Sequence, residues 1–291
     1  MLCFRSLPVI GLIAAGTFAG CKSDRPAGGT GSTPATATEA PKAAPAIVTV
    51  TATDYRFDAP ATAPAGAVTI HLINHGKELH QVQLIKLEDG KTAADFAKAL
   101  QTPGPPPSWI KFVGGPNGIA PGQEARATSV LAPGSYMYLC FIPSQDGVMH
   151  AAKGMVRPFE VTATSGAATE APAADVTITL TDYAFDSSQP LTAGPHTILV
   201  KNAGPQPHEI VLLKLAPGKK AEDFGRWAET GMKGPPPAEP LGGVGFLDKG
   251  LEGSFTADLT PGDYGFICFV PDAKDGKPHL AHGMMRTITV N

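Results

Sequence analysis

Short runs of alternating apolar and polar residues recur along most of the chain. Val48-Thr49-Val50-Thr51, Val68-Thr69-Ile70-His71-Leu72, Val176-Thr177-Ile178-Thr179-Leu180 and Thr197-Ile198-Leu199-Val200 carry β-favouring residues at a period of two, with turn residues between the runs. That period sets one row of side chains on a core and the next toward solvent, and it predicts the strands of an antiparallel sandwich. Two further strands are expected to begin at His80 and His208. Their parity groups His80 with Val82 and Leu84, and His208 with Ile210 and Leu212, so both imidazoles should point into the sandwich near one end. His71, in parity with Thr69, should face solvent. The pattern turns helical over residues 92–100, where Thr92 can cap and Asp95 stands three residues on, and again over residues 221–227. The proline triplets at 105–107 and 235–237 are expected to end these helices.

The same segments occur twice. Asp54-Tyr55-Arg56-Phe57-Asp58 returns as Asp182-Tyr183-Ala184-Phe185-Asp186, and the run starting at His80 returns at His208. Gly104-Pro105-Pro106-Pro107 returns as Gly234-Pro235-Pro236-Pro237, and Leu131-Ala132-Pro133-Gly134-Ser135-Tyr136 as Leu259-Thr260-Pro261-Gly262-Asp263-Tyr264. A near-constant offset over so many segments marks a duplicated unit. The chain reads as all-β: two tandem Greek-key β-sandwiches, each with a short helical insertion, at residues 47–162 and 175–291. The Ser/Gly/Ala/Thr/Pro-rich stretch 163–174 is the expected linker.

Composition supports this and narrows the partners. In 291 residues, 43% hydrophobic and 17% charged content is enough for two buried cores, and 33 Gly with 29 Pro suits many turns. The net charge is −3 with no basic cluster, which leaves a nucleic-acid partner without electrostatic support. At the N-terminus Arg5 precedes an apolar run, residues 7–15, that is too short to span a bilayer, and Phe18-Ala19-Gly20-Cys21 follows. This resembles a bacterial lipoprotein signal. The resemblance implies that residues 1–20 are removed and that Cys21 is lipidated. It also implies that the protein is held at a membrane of the cell envelope, in the periplasm. Residues 21–46, rich in Ala, Thr and Pro, read as a flexible tether.

Cysteine usage then points to chemistry. Cys3 leaves with the signal and Cys21 carries lipid, so each copy keeps one cysteine, Cys140 or Cys268, and no disulfide within a copy is possible. Cys140 closes Tyr136-Met137-Tyr138-Leu139-Cys140, with His150 and Met155 downstream. Cys268 closes Tyr264-Gly265-Phe266-Ile267-Cys268, with His279 and Met284 downstream. Adding His80 and His208 gives each copy a thiolate, two imidazoles and a thioether, the trigonal-plus-axial set that suits one copper ion. Zinc shares the Cys and His ligands but rarely takes a thioether. Singly, a histidine before a strand is commonly a surface residue, and a buried Cys or Met is commonly packing. Four such residues recurring in register in both copies favour a metal. His75 and His196 lack counterparts and are expected on the surface. His282 replaces Lys153 and should line the rim of the second site, with Met285 in the place of Val156 beside it.

Asn202-Ala203-Gly204-Pro205-Gln206-Pro207-His208, the Pro-Gly-x-Tyr-x-x-x-Cys runs ending at Cys140 and Cys268, and the closing His-x4-Met of both copies together resemble the cupredoxin, or blue copper, family. The resemblance covers both copies. It implies type 1 copper, one ion per domain, and electron transfer with a redox partner protein of the envelope. Nine residues separate Cys140 from His150 and ten separate Cys268 from His279, longer than in most small blue copper proteins and comparable to copper nitrite reductases. Multicopper oxidases need His-x-His pairs, which are absent. Nitrite reductases place a histidine directly before the ligand cysteine, where this chain has Leu139 and Ile267. The expectation is therefore a carrier and not an enzyme. The alternatives are a copper storage, delivery or tolerance protein, or a metal-free interaction module.

Overall fold

The computed structural model describes residues 43–101, 104–165 and 169–291. The signal segment, Cys21 and most of the expected tether lie outside the described residues. The first copy comprises β1 (Ala46–Thr53), β2 (Arg56–Asp58), β3 (Thr62–Pro64), β4 (Gly66–Asn74), β5 (Gln83–Leu87), α1 (Ala93–Leu100), β6 (Ile110–Phe112), β7 (Glu124–Leu131), β8 (Gly134–Leu139) and β9 (Val156–Thr162). The second comprises β10 (Val176–Thr181), β11 (Ala184–Ser187), β12 (Gly194–Asn202), β13 (His208–Leu215), α2 (Ala221–Glu229), β14 (Ala238–Leu247), β15 (Glu252–Leu259), β16 (Gly262–Ile267) and β17 (Met285–Val290). Both copies are sandwiches. Sheet β3-β9-β8-β5-β6 and sheet β14-β13-β16-β17 each pack on one half of a shared eight-stranded sheet, β11-β10-β12-β15-β7-β4-β1-β2.

The sandwiches are not wholly antiparallel. β1 turns back at once into β2, the chain then leaves for the opposite sheet, and it returns as β4 running parallel to β1. β10 and β12 are parallel in the same way. A crossover rather than a hairpin joins each of these pairs, which a reading of alternation alone does not reveal.

His80 also stands differently from its counterpart. β13 begins at His208, but β5 begins at Gln83, and His80 forms only an isolated bridge with Ile119. Pro116 accounts for the break: it has no N–H to donate to the ladder, whereas Val244 in its place pairs with Ile210.

Both helical insertions are present. In α1, Thr92 Oγ1 accepts from Asp95 N and the Asp95 carboxylate accepts from Thr92 N, a reciprocal cap worth about 1 kcal/mol. Phe96 then packs onto Met137 and Leu139, sealing a small outer core. Both helices stop before the proline triplets, at Gln101 and Thr230, where Gly231 follows at φ 77°. Tether and linker also touch the sheet: Ala43 bridges Thr169, whose Oγ1 accepts from Ala67 N at 2.7 Å.

Strand alternation decides what enters the inner core. Along β8 and the residue after it, Tyr136, Tyr138 and Cys140 point between the sheets, while Met137 and Leu139 point under α1. Along β16 the same rule sends Tyr264, Phe266 and Cys268 inward and Ile267 outward under α2.

The two copies meet edge to edge. β7 pairs with β15 through Ala127, Thr128 and Ser129, which makes the eight-stranded sheet continuous. Gln83 donates to Phe246 O and accepts from Phe246 N (3.1 and 2.7 Å), and Phe246 stacks on Phe141 at 5.3 Å. A Cβ on Gly245 would lie 2.6 Å from Gln83 Oε1, so this close approach needs glycine.

Candidate metal centres

In the first copy the structure brings together His80, Cys140 and His150, and in the second His208, Cys268 and His279. All six are buried, and within each trio the ligand atoms lie within 4.8 Å of one another. His80 Nδ1 and His150 Nδ1 are 3.1 Å apart, and Cys140 Sγ is 3.4 Å from His150 Nδ1. The corresponding distances in the second copy are 3.0 and 3.4 Å. Met155 and Met284 are fully buried in the same apolar clusters as Cys140 and Cys268.

Backbone hydrogen bonds fix the long loops between cysteine and methionine. Cys140 N donates to Met155 O, Ala151 N to Cys140 O, His150 N to Ile142 O and Met155 N to His150 O. The second copy repeats all four, from Cys268 to Met284, from Leu280 to Cys268, from His279 to Val270 and from Met284 to His279. Loop length therefore does not loosen the site, because the extra residues form a turn outside this frame.

The far nitrogens of the rings face carboxylates. Asp54 Oδ1 lies 3.2 Å from His80 Nε2, and Asp182 Oδ1 lies 2.8 Å from His208 Nε2. Glu78 Oε2 lies 2.7 Å from His150 Nε2. In the second copy Gln206 stands where Glu78 does, and Asp272 takes over at 3.9 Å from His279 Nε2, which makes no hydrogen bond among the described residues. Gly76 and Gly204 make room for these pairs. A Cβ on Gly76 would meet His80 Nε2 at 2.5 Å and Asp54 Oδ1 at 2.6 Å, and one on Gly204 would meet His208 Nε2 at 2.6 Å. Asn74 and Asn202 hold the glycine turns, each accepting from the glycine N–H.

A tyrosine completes each centre. Tyr55 meets the His150 ring edge-on at 5.2 Å and donates to Glu78, while Tyr183 meets His279 at 5.4 Å and donates to Asp272 at 2.6 Å. Both adopt positive φ, 63° and 107°, a strained conformation for a side chain of this size. Outside Tyr55 lies Lys153, its Nζ 4.7 Å from the ring centroid. Outside Tyr183 lies His282, 4.9 Å away and bonded to Asp275. His282 is thus at the rim of the second centre, as its position opposite Lys153 suggested. His71 is half-buried and pairs with Glu124 on the sheet surface; His196 pairs with Asp175, and His75 is exposed.

These surroundings fit a cation. Burial holds His80, His150 and His208 below the ordinary histidine value, and burial with the neighbouring His208 takes His279 down to about 4, so all four rings are neutral at pH 7. Burial pushes the Cys140 thiol up to about 12, against bonds from the N–H groups of Gln81 and Ile142, and pushes Cys268 well above its usual value. Carboxylates only accept, so a ring proton belongs on Nε2 wherever one faces it. In the first centre that leaves two Nδ1 lone pairs facing each other 3.1 Å apart beside a sulfur, and in the second it leaves the His208 Nδ1 lone pair 3.0 Å from His279 Nδ1, arrangements that a soft metal ion completes.

Sequence reasoning missed Asp54, Tyr55 and Glu78, and Asp182, Tyr183 and Asp272. The repeated Asp-Tyr-x-Phe-Asp run held the signal for four of them, since two polar residues kept at a turn in both copies mark more than a strand boundary.

Fold and ligand geometry define each copy as a cupredoxin-like β-sandwich with a candidate metal centre at one end. No family model and no curated protein matches the chain. Among solved structures it is similar to a dithionite-reduced auracyanin of Roseiflexus castenholzii, at 22% identity over 41% of this chain and 99% of that one, with a TM-score of 0.30. Auracyanin A of Chloroflexus aurantiacus, a blue copper protein, matches at 20% identity over 41% of this chain and 99% of that one, with a TM-score of 0.28. A blue copper oxidase of Nitrosomonas europaea matches at 14% identity over 84% of this chain and 85% of that one, with a TM-score of 0.24.

Proposed function

We propose that this chain is an electron-transfer protein of the bacterial cell envelope that binds one type 1-like copper ion in each copy. His80, Cys140, His150 and Met155 would hold the first ion; His208, Cys268, His279 and Met284 would hold the second. One observation carries the reading: in both copies two Nδ1 atoms and a cysteine sulfur converge in a buried space, while carboxylates take up the far nitrogens of His80, His150 and His208. Bound copper supplies a one-electron couple. The chain supplies the rest. Its stapled loops keep the donors in place through a change of charge, the apolar core excludes water, and the loops that carry the buried His150 and His279 are the face we assign to a redox partner protein.

The reading includes two domains, at residues 47–162 and 175–291, and a lipid anchor on Cys21. Among the described residues no helix is long and apolar enough to cross a membrane. It excludes oxidase and nitrite reductase activity. Leu139 and Ile267, where a bridging histidine would stand, are packed in the outer cores under α1 and α2.

Copper content and absorption of the chain lacking its signal segment provide the test. Two ions per chain with an intense thiolate-to-copper band are expected. Copper without that band would support storage or delivery, and absence of binding would leave an interaction module. Cys21→Ser should move the protein from the membrane to the soluble envelope fraction; retention on the membrane would sink the anchor.

A further inference from the structure

We propose that Asn117 and Glu209 form a route for electrons between the two copper centres, so that the chain works as a two-centre relay. This inference rests on the copper reading above.

Glu209 is buried and tied into the second centre at three points. It follows His208 in the chain, its N–H bonds the Cys268 sulfur, and its Oε1 accepts from Phe269 N at 2.9 Å, one residue past Cys268. Its other oxygen reaches across to the first copy, where Asn117 Nδ2 donates to Glu209 Oε2 at 2.8 Å. Asn117 lies two residues from Ile119, and Ile119 exchanges both backbone hydrogen bonds with the candidate ligand His80, at 3.0 and 3.2 Å. A path from His80 to the second centre therefore consists of one backbone bridge, the covalent segment 117–119 and one side-chain hydrogen bond. His80, Asn117, Ile119 and Glu209 are all at most 2% exposed, so no bulk water interrupts it.

The segment is clamped as well as buried. Asn117 Oδ1 accepts from Gly118 N at 2.8 Å, Asn117 N donates to Gly243 O, and Gly242 N donates to Gly118 O. A carboxylate suits position 209, because both neighbours donate and each of its oxygens accepts one bond. The duplication supplies no mirror-image link. Gln81 stands where Glu209 does, its amide nitrogen without a hydrogen-bond partner among the described residues, and Gly245 stands where Asn117 does.

Electronic coupling falls exponentially with distance, and it falls faster across gaps than along covalent and hydrogen bonds. A continuous buried path between two one-electron centres is therefore a conductor. The step is balanced: Cu(I) in one copy becomes Cu(II) as Cu(II) in the other becomes Cu(I), with no proton and no third reactant.

The test uses the full copper-loaded chain carrying Met155→Gln. Replacing the Met155 thioether would shift the band and potential of the first centre alone, which separates the two signals and makes that centre the donor. After pulsed reduction with less than one electron per chain, the first centre should recover its Cu(II) band while the second loses its own. The rate should not depend on protein concentration. Adding Asn117→Leu should slow that phase about tenfold or more, because it breaks the contiguous network. Glu209→Gln, which places a donor against one of the two donors, should slow it too, and it decides the matter should the leucine variant fail to fold. Both bands recorded in the same sample separate a slower route from a damaged centre. Two loaded centres with no concentration-independent phase, or with a phase that neither change slows, would overturn the relay alone. A chain that binds no copper would overturn the relay and the function together.

Discussion

The two copies hold the same four candidate ligands in the same frame of backbone bonds, yet they orient the late histidine by different means. In the first copy Glu78, two residues before His80, reaches His150 Nε2 directly at 2.7 Å. In the second, Gln206 occupies that place and donates to Asp272 Oδ2, and the Asp272 carboxylate stops 3.9 Å short of His279 Nε2. The acid has moved from one loop to another. Asp272 stands where the first copy has Ser144, and there Ser144 supports Tyr55, the tyrosine that binds Glu78. The inner ligands are dictated by strand parity and by the stapled loop, which leave little freedom. The outer acid need only face one nitrogen from any loop that passes, so it can drift between loops after a duplication.

The largest effect that would break this comparison is loss of an inner ligand. Cys140→Ser should remove one copper and one thiolate-to-copper band and leave the second centre intact, and Cys268→Ser should do the converse. Loss of both centres from either change would mean that the two copies share their copper.

Next come the glycines that make room for the His–Asp pairs. Gly76→Ala and Gly204→Ala should each weaken copper binding at their own centre by about 10- to 100-fold, since the added Cβ displaces the pair that orients the early ligand. Titration against a chelator measures this, and equal affinity in parent and variant would show that the pair does not orient the ligand.

The outer acids themselves should separate the copies. Glu78→Gln should cost the first centre about tenfold in affinity, whereas Asp272→Asn, acting across a longer gap, should cost the second about threefold or less. A larger loss from Asp272→Asn would mean that copper draws the two groups together.

The last effect concerns protons and touches both centres alike. At pH 7 the metal-free centres carry a thiol proton and neutral rings, because burial raises both cysteines and lowers all four histidines. Copper uptake should therefore release about one proton per ion, and affinity should rise about tenfold per pH unit. Calorimetry in buffers of different ionisation enthalpy counts the protons, and a count of zero would contradict a thiolate ligand. The sign for stability follows from the same rings. Their pKa values are lower folded than unfolded, so the unfolded chain binds more protons in acid. The metal-free fold should hold its full histidine contribution above about pH 6.5 and lose it as pH falls toward 4, seen as a falling melting temperature.

Much of this was legible in the residues. Alternation around Cys140 and Cys268 places each thiol inside the sandwich, and the doubled His, Cys, His and Met pattern picks out every candidate ligand, because the period of a strand is a local property. The Thr92 and Asp95 cap was legible for the same reason. The parallel pairing of β1 with β4 was not, since alternation records which way a side chain points and nothing about which strand lies beside it. Pro116, thirty-six positions after His80 in the chain, cuts short the ladder beside that histidine only because β5 and the 113–119 segment meet in space. Glu209 beside Asn117, and Asp272 near His279, are products of the same long-range packing. The sequence by itself determined the duplicated strands, the inward face of each and the set of candidate inner ligands. Only the tertiary structure decided which acids face the candidate histidines and how the two copies are joined, because those contacts link residues whose separation in the chain carries no periodic trace.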